Sequence, residues 1–256
     1  MIYFVLPAFN EEPNIPILLN SFNNFFNKNK FFLNTKVIIV DDGSKDNTKK
    51  ILTKIKDENK ILENKLNFEL INIYHEKNKG LGDAIKTGMT YCFNNGNYDD
   101  IIITMDCDNS HTIELSEEMI EVLIKGYDVV IASRYKENSA IKGLSYYRKF
   151  LSDTGSLIFK VFFQIKNVKD YTCGYRAFNL KKIKEAWIYD KNFFSEKGFT
   201  ASLDIILKLF KFDKNIKMQE VPMVLRYDLK KGVSKMSVIK TIFQTINLLF
   251  KRKFFN

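Results

Sequence analysis

The first half of the chain alternates between short apolar runs and longer segments of helical periodicity. The strand-like runs are 2–6, 36–40, 68–74, 100–105 and 128–132. Helical spacing of apolar residues occurs from Ile15 to Phe26, from Ile51 to Ile55, from Leu81 to Phe93 and from Leu115 to Ile124, with Pro13 expected in the first helical turn. This alternation predicts an α/β fold whose mostly parallel, twisted sheet is flanked by helices.

Polar clusters follow the first four predicted strands. They are Pro7-Ala8-Phe9-Asn10-Glu11-Glu12, Asp41-Asp42-Gly43-Ser44, His75 to Gly82, and Asp106 with Asp108. Any one cluster is most simply a turn or a helix cap. In a doubly wound sheet, however, ligands bind beyond the carboxyl ends of the strands, so four clusters in register favour one shared nucleotide site.

Asp106 and Asp108 stand one residue apart at the end of the apolar run 101–104. Residues i and i+2 of a strand point to the same face, so both carboxylates can reach one ligand. Hard divalent cations take oxygen ligands and usually share one or two carboxylates with substrate phosphates. The pair therefore predicts a metal and diphosphate site, although the triplet taken alone is more often a turn or cap.

Length and composition indicate an ordinary globular protein. The 256 residues fit one large α/β domain, or one domain plus a tail. The three cysteines are isolated from one another, which indicates a reducing compartment. The first apolar run ends at Pro7 with no basic segment before it, unlike a signal peptide, and no apolar run approaches ~20 residues, so a cytosolic chain is expected.

Basic residues concentrate near the C-terminal end. Between 226 and 256 there are eight Lys or Arg residues and a single acid, Asp228, which accounts for most of the formal net charge of +10. Such a segment can bind nucleic acid, an anionic membrane or a phosphorylated substrate, or can be a solvated face. Nucleic acid is disfavoured because no recognised reading helix or aromatic motif accompanies these residues.

An apolar stripe at helical spacing precedes the last basic residues. Its members are Val238, Ile239, Ile242, Phe243, Ile246, Leu249 and Phe250, and Lys251-Arg252-Lys253 follow it. A stripe of this kind beside cations predicts an amphipathic helix at a membrane surface, which the apolar stretch 157–163 would join. The alternative is that the stripe packs on the domain or on a partner subunit.

Several segments together resemble a known enzyme family. Pro7 to Glu11, Val40 to Ser44, Asn78 to Gly82 and Met105 to Asp108 are similar to the family-2 glycosyltransferases of GT-A (Rossmann-like) fold. The segments 132–135, 170–178, 220–222 and 232–236 resemble, more narrowly, the polyprenyl-phosphate (dolichyl-phosphate) mannose and glucose synthases. The resemblance runs in order from Ile2 to about Met236.

The resemblance implies roles for individual residues. Those matching contacts to the base and ribose of a nucleotide sugar are Pro7, Phe9, Glu11, Val40 and Asp42, while Asp106, Cys107 and Asp108 match the motif around the diphosphate. Asp106, Asp108 and Ser110 would then bind Mg²⁺ or Mn²⁺, with Asp108 the leading ligand. Arg134 and Arg148 match arginines around the phosphates, and Lys235 matches a lysine of the closing basic loop.

The acceptor determines what further chemistry is needed. A sugar hydroxyl needs a general base, for which Asp204 is the candidate, whereas a polyprenyl phosphate is already ionised and needs charge neutralisation. The cations available for the second role are Arg134, Arg148, Arg226, Lys230 and Lys231. The alternative role for Asp204 is to orient neighbouring basic groups, and the sequence leaves these two roles open.

Two departures from the synthase pattern bear on the acceptor. The synthases usually carry arginine three residues before the glycine of the basic loop, where this chain has Leu229, and often a second arginine where it has Asp153. We expect one domain over 1–236, with a nucleotide-sugar half at 1–135 and an acceptor half at 136–236. A basic amphipathic helix or tail follows at 237–256.

The expected activity is metal-dependent, inverting transfer of a hexose from GDP-mannose or UDP-glucose to a polyprenyl phosphate. The enzyme would lie peripherally at the cytoplasmic face of a membrane, alone or with a membrane partner subunit, and would bind no nucleic acid. Transfer to a sugar hydroxyl in cell-surface polysaccharide or glycolipid synthesis is the direct alternative. A sugar-nucleotide pyrophosphorylase would also use an α/β nucleotide fold, but it would be expected to open with a glycine-rich basic loop where this chain has Pro7 to Glu11. A non-catalytic basic membrane-binding module is a remote alternative that leaves the four polar clusters unexplained.

Overall fold

The computed structural model describes residues 1–32, 34–61, 66–143, 162–232 and 238–254. The strands are β1 (Ile2–Ala8), β2 (Thr35–Asp41), β3 (Glu69–Tyr74), β4 (Ile101–Thr104), β5 (Val129–Ser133), β6 (Ala140–Lys142), β7 (Arg176–Asn179), β8 (Met218–Pro222) and β9 (Val224–Arg226). The described helices are α1 (Ile15–Lys28), α2 (Thr48–Ile61), α3 (Leu81–Asn95), α4 (Leu115–Ile124), α5 (Leu180–Tyr189), α6 (Ala201–Phe212) and α7 (Val238–Phe254). Arg148, Asp153 and Lys235 lie outside the described residues.

A seven-stranded sheet forms the centre of the molecule, in the order β3-β2-β1-β4-β7-β5-β8. Every neighbouring pair is parallel except that β7 runs antiparallel to both β4 and β5. The predicted α/β fold with a mostly parallel sheet is confirmed, and so are the five predicted strands. Since β1, β2, β4 and β5 all point the same way, their carboxyl ends meet at one edge.

Burial on both faces of the sheet explains why the strands have continuous apolar sequences. Helices cover both faces of a parallel sheet, so neither face alternates with polar residues. Under α1, the rings of Phe4 and Phe22 meet edge to face with centroids 5.1 Å apart, and Phe26 packs on Phe32 at 5.2 Å. This aromatic cluster fixes α1 on the sheet, and with it the loop that leaves β1.

Helix starts near the sheet edge depend on a few residues. α1 begins at Ile15, after Asn14, so Pro16 rather than the predicted Pro13 occupies its first turn. α3 begins after Gly80, whose φ of +99° is a conformation that glycine adopts without strain. Further along α3, Gly88 lies against Val5, where a side chain would collide with the strand. The absence of a side chain there lets α3 pack closely on β1.

The predicted C-terminal amphipathic helix is present as α7, but its apolar stripe faces mainly outward. Leu248 and Leu249 are buried, whereas the exposed members, at 39% to 70%, are Ile242, Phe243, Ile246 and Phe250. Among the described residues, no helix combines the length and apolarity needed to cross a membrane. Of the predicted second apolar stretch, the structure describes Phe162 and Phe163.

Candidate active site

β4 carries the carboxylate pair to the sheet edge. Pairing with β1 continues one residue past the strand, where Met105 N donates to Val5 O at 3.2 Å, and the Thr104 hydroxyl donates to Gly174 O at 2.7 Å. The chain then leaves the sheet at Asp106. This carboxylate is half-buried, and no hydrogen-bond donor of the described residues contacts its oxygens.

Asp108 is held from two sides. Asn109, with a φ of +62°, turns the chain so that Ser110 donates its N–H and its hydroxyl to Asp108 Oδ1, at 3.0 and 2.5 Å. Lys230 Nζ donates to Asp108 Oδ2 at 2.5 Å, from 122 residues further along the chain. One oxygen therefore shapes the loop, while the other is paired with a cation from the second half of the molecule.

The two carboxylates differ in proton affinity. Burial raises the pKa of Asp106, the negative charge of Asp108 adds to this, and nearby basic groups offset it only in part. Burial also acts to raise the pKa of Asp108, but the adjacent Lys230 ammonium outweighs it, so this pKa lies below its usual value. Asp108 is thus held as a carboxylate, whereas Asp106 gains most from additional positive charge.

The donor set fits a divalent cation shared with a substrate diphosphate. Asp106 and Asp108 offer carboxylate oxygens and Ser110 a hydroxyl, which are the ligands that Mg²⁺ and Mn²⁺ prefer. No group of three His, Cys, Asp or Glu side chains in the described ranges is arranged to hold a metal by itself. Such a cation would therefore need phosphate and water oxygens to complete its coordination.

Asn14 ties the end of β1 to the loop that carries the carboxylates. Its Nδ2 donates to Glu11 Oε2 at 2.6 Å and to Lys231 O at 3.0 Å, while its Oδ1 accepts from Lys231 N at 3.2 Å. Asn109 Nδ2 in turn donates to Asn14 O at 3.2 Å. The predicted residues Glu11 and Lys231 are therefore brought beside Asp108, through a residue that the sequence did not single out.

Asp42, at the end of β2, holds the glycine-rich turn that precedes α3. The N–H groups of Lys79 and Gly80 donate to Asp42 Oδ1 and Oδ2, at 2.9 and 2.7 Å. His75 Nδ1 lies 2.6 Å from Asp42 Oδ1, and its Nε2 lies 2.9 Å from Thr87 Oγ1. The carboxylate is buried, and in this geometry it organises the turn.

The other predicted nucleotide contacts lie along the same edge. Pro7 and Val40 are register partners at the ends of β1 and β2. Phe9 is half-buried just beyond β1, and the buried Cys107 lies between the two aspartates of the pair. Arg134 directly follows β5. The carboxyl ends of β1 to β4, which carry the four polar clusters, lie at one edge of the sheet, as the order of the clusters predicted.

Arg134 is bound by a buried acid. Its Nε and Nη2 donate to Asp170 Oδ2 and Oδ1, at 2.7 and 2.6 Å, and its backbone N–H donates to the same carboxylate at 3.0 Å. Nη2 also donates to Thr172 Oγ1 at 2.6 Å. Burial acts to raise the pKa of Asp170, but Arg134 outweighs it and the pKa is lowered. Asp170 therefore fixes the direction of the guanidinium at the strand end.

The predicted acceptor cations occupy different environments. Lys230 contacts Asp108, whereas the Arg226 guanidinium makes an ion pair with Asp228 at 2.9 Å on the surface. Burial acts to lower the pKa of Lys230, but Asp108 outweighs it and the pKa is raised. Only the backbone of Arg226 reaches the site, where its N–H donates to Ser110 O at 2.8 Å. Of these two side chains, Lys230 is therefore the better placed to contact a ligand at the carboxylate pair.

Asp204 lies in the first turn of α6 and is fully engaged by cations. Arg252 donates from Nε to Asp204 Oδ1 at 2.6 Å and from Nη2 to Oδ2 at 2.9 Å. Lys208 Nζ lies 3.3 Å from Oδ2. The Asp204 side chain is only 2% exposed. Of the two roles left open by the sequence, this arrangement matches a carboxylate that orients basic groups.

Sequence reasoning missed four residues that shape the site: Asn14, His75, Asp170 and Arg252. Asp170 lay within a matching motif and His75 within a polar cluster, so both were visible but carried no role. Asn14 and Arg252 looked like a helix start and a member of a basic run. Their partners are 217 and 48 residues away, respectively, so local pattern held no signal for them.

Comparison with known proteins gives a consistent picture. The profile described as "Glycosyl transferase family 2" matches residues 3–187. The dolichol-phosphate mannosyltransferase of Pyrococcus furiosus is 25% identical over 248 residues, covering 96% of this chain and 62% of that protein. The UDP-N-acetylglucosamine–dolichyl-phosphate N-acetylglucosaminyltransferase of Methanococcus voltae is 31% identical over 189 residues, covering 72% of this chain and 71% of its own.

Solved structures agree at the level of the fold. Glucosyl-3-phosphoglycerate synthase from Mycobacterium tuberculosis, in complex with Mn²⁺, UDP and glucosyl-3-phosphoglycerate, superposes with a TM-score of 0.66 at 14% identity. The match covers 99% of this chain and 80% of the synthase. The same synthase was also crystallised with Mg²⁺ and UDP. The predicted GT-A fold is thereby confirmed.

Proposed function

Because this chain belongs to glycosyl transferase family 2, we propose that it transfers a hexose from a nucleotide sugar, GDP-mannose or UDP-glucose, to a polyprenyl phosphate. The family identification made from the motifs is confirmed by this membership. The proposed acceptor draws on relatives whose names specify dolichyl or polyprenyl phosphate, in Pyrococcus, Methanococcus and Mycolicibacterium smegmatis. The chain spans 62% of the length of the Pyrococcus protein, so both substrates are part of the proposal.

The state of Asp204 is the observation that favours a phosphate acceptor. A hydroxyl acceptor needs a base with an available oxygen, yet both Asp204 oxygens accept from Arg252 and one also faces Lys208. A phosphate acceptor needs cations instead: Lys230 pairs with Asp108, and the charges of Lys230 and Arg134 both act to lower the pKa of Asp106. The arrangement therefore supports charge neutralisation rather than proton abstraction.

The proposed reaction is a single displacement. An oxygen of the polyprenyl phosphate attacks the anomeric carbon while the bond from that carbon to the nucleoside diphosphate breaks, which inverts the configuration. A divalent cation at Asp106, Asp108 and Ser110 would supply positive charge for the departing diphosphate. Lys230 and Arg134 would orient and neutralise phosphate oxygens, and the Asp42-bound turn would hold the base and ribose.

We propose that α7 places the enzyme at the membrane that contains its acceptor. The outward stripe of α7 includes Phe243 and Phe250, which are 70% and 56% exposed, and Lys251, which follows Phe250, is 48% exposed. Aromatic side chains next to lysines suit the boundary between headgroups and acyl chains of an anionic membrane. A membrane partner subunit with an apolar groove would be recognised by the same stripe.

In this proposal, residues 1–236 form one catalytic domain. Its nucleotide-sugar half, 1–135, ends just after the last strand-end arginine, and its acceptor half, 136–236, supplies Lys230 and the predicted Arg148 and Lys235. Residues 237–256 form the basic amphipathic helix and tail. The division follows function rather than packing, since β7 of the second half lies between β4 and β5 of the first.

Sugar transfer by the purified full chain tests the proposal. Radiolabelled GDP-mannose, UDP-glucose and UDP-N-acetylglucosamine are each incubated with polyprenyl phosphate and Mn²⁺ or Mg²⁺. We expect a chloroform-soluble, acid-labile product with one of the donors, and none after chelation of the metal. A water-soluble oligosaccharide formed from an added sugar would instead identify the hydroxyl alternative, and an undiminished rate in chelator would contradict the metal role.

A further inference from the structure

Arg252, on the last turns of α7, makes a two-point contact with a buried acid. The guanidinium binds both oxygens of Asp204, and the side chains of the two residues are 11% and 2% exposed. Arg252 Nη2 also donates to Ser195 Oγ at 3.2 Å. A two-point arginine–carboxylate contact fixes direction as well as distance. The rotation of α7 about its own axis is therefore set, with the apolar stripe outward.

The same carboxylate organises the 190–198 loop, which runs from Asp190 to Gly198. Lys208, one turn along α6 from Asp204, donates to the backbone oxygens of Asn192 and Phe193 and to Ser195 Oγ. Burial lowers the pKa of Lys208, and Asp204 offsets this in part. The loop thus surrounds the buried ammonium of Lys208, and Asp204 is the counter-charge of both Lys208 and Arg252.

The 190–198 loop in turn lies directly on the glycine-rich turn of the proposed donor site. Gly82 N donates to Lys197 O at 2.8 Å, and a Cβ on Gly80 would lie 2.5 Å from the same oxygen. A side chain on Gly82 would collide with Glu196 O. Since Gly80 N also donates to Asp42, both the loop and the Asp42 carboxylate hold the turn.

α6 also reaches the carboxylate pair. A Cβ built on Gly174 would lie 3.6 Å from both Asp106 Oδ1 and Ser202 Oγ, so the first turn of α6 lies close to Asp106. Arg176, which is buried in β7, donates to Ser202 O and to Tyr171 O. The segment that Arg252 holds through Asp204 therefore borders both the glycine-rich turn and Asp106.

Two further contacts dock α7 along the 190–198 loop. Gln244 lies over Gly198, where an added Cβ would be 2.9 Å from Gln244 Oε1, and Lys251 pairs with Glu196 at 3.1 Å. The Lys251 side chain is 48% exposed, so its ion pair is solvated and weak. Arg252 makes a buried charged contact between α7 and this region, so we expect its removal to affect the donor site.

We propose that Arg252 is a positioning residue for donor binding. By holding Asp204, it keeps the first turn of α6 and the 190–198 loop against the Gly80–Gly82 turn, so that docking of α7 raises the affinity for the nucleotide. The exposed face of α7 and the donor site are then thermodynamically linked, and each binding event favours the other. This inference rests on the proposed function, because it takes the Asp42-bound turn to be the nucleotide site.

Calorimetric titration of the full chain with UDP or GDP, each in the presence of Mn²⁺, tests the inference without any acceptor. We expect Arg252→Met to weaken binding by about tenfold, and Arg252→Lys, which keeps the charge but not the two-point contact, to lie between this variant and the wild type. Asp204→Asn should weaken binding at least as much, and the double variant no more than Asp204→Asn alone, because both changes remove the Arg252–Asp204 contact. Lys251→Met is the matched control and should change affinity by less than about twofold.

The outcomes separate this inference from the proposed function. Circular dichroism and the melting temperature establish that each variant is folded. A folded Arg252→Met protein that binds nucleotide like the wild type overturns the inference, as does a double variant whose losses add. If Arg252→Met fails to fold, unchanged binding by Arg252→Lys is the overturning result. A wild-type protein that binds neither nucleotide overturns the proposed function as well.

Discussion

Two pairs of aspartates in this molecule differ in the cationic side chains that contact them. Asp106 and Asp108 follow a strand of the large sheet, and in the described residues their cationic contact is the single ammonium of Lys230. Asp170 and Asp204, in the second half, each bind the two-point fork of an arginine, Arg134 and Arg252. The carboxylate oxygens of the first pair can therefore still bind a ligand, whereas those of the second pair already bind arginine side chains of the protein.

This difference in partners, rather than residue type, is the reason we expect Asp106 and Asp108 to bind a ligand and Asp170 and Asp204 to position basic side chains. All four carboxylates lie close to the same sheet edge or to the helix bordering it. Removing a partner from Asp170 or Asp204 would leave a buried charge uncompensated, which is costly. A cation added to Asp106, by contrast, would satisfy a carboxylate whose pKa burial has raised. The predictions below test this contrast from the largest expected effect to the smallest.

Asp108→Asn should lower the rate of sugar transfer by about 1000-fold, because the amide removes a charged oxygen ligand at the proposed diphosphate site. The folded structure should persist, since the amide oxygen still accepts from Ser110. Initial rates with saturating donor measure the effect, and Asp99→Asn, an exposed acid a few residues before the pair, is the control. Full activity of Asp108→Asn would remove the distinction between the two pairs of acids.

Asp170→Asn should reduce the free energy of unfolding by about 3–5 kcal/mol at pH 7, because it leaves the Arg134 charge without its buried partner. The folded-state pKa of Asp170 is lowered, so its contribution is complete above the unfolded value of about 3.9 and is lost as the pH falls through the folded value. The gap between wild type and variant, measured by denaturant titration, should therefore shrink in acid.

Asp213→Asn is the matched control for that experiment, since Asp213 pairs with Lys182 at 2.9 Å but its side chain is 28% exposed. A solvated pair of this kind contributes less than about 1 kcal/mol. Equal losses of unfolding free energy in the two variants would show that the Arg134–Asp170 contact stabilises the protein no more than a solvated ion pair does.

Lys230→Met should lower kcat/KM by about 10- to 100-fold, because it removes the cation nearest to the carboxylate pair. Arg226→Met should have an effect of less than about twofold, since that guanidinium is paired with Asp228 at the surface. Both residues were candidates for holding the acceptor phosphate, and steady-state kinetics with varied polyprenyl phosphate compares them. A larger loss from Arg226→Met would reverse their order.

Phe243→Ser should weaken binding to vesicles of anionic phospholipid by about tenfold, because it removes an aromatic ring from the outward stripe of α7. Co-sedimentation with vesicles measures the change. Tyr189→Ser is the control, as Tyr189 is 75% exposed but belongs to α5, away from the stripe. Undiminished vesicle binding by Phe243→Ser would leave the partner subunit as the occupant of this face.

Much of the sheet edge that carries the candidate site could be predicted from periodicity. The five strands and four helices of the first half appear at the positions that apolar spacing indicated, because local pattern and burial on a two-sided sheet agree there. β7 was not predicted: it is short, and it enters the sheet between β4 and β5 although it follows both in the chain. The helical stripe of α7 was predicted, but its outward direction could not be.

The sequence by itself determined the fold class, the family, and the strand ends at which Asp42, Asp106 and Asp108 stand. Those features depend on neighbours a few residues away, which a sequence displays directly. Only the tertiary structure decided that Lys230 pairs with Asp108 and that Arg252 binds Asp204, across sequence separations of 122 and 48 residues. Such pairings depend on how whole elements pack, and burial then makes them strong by removing the water that would otherwise compete for the charges.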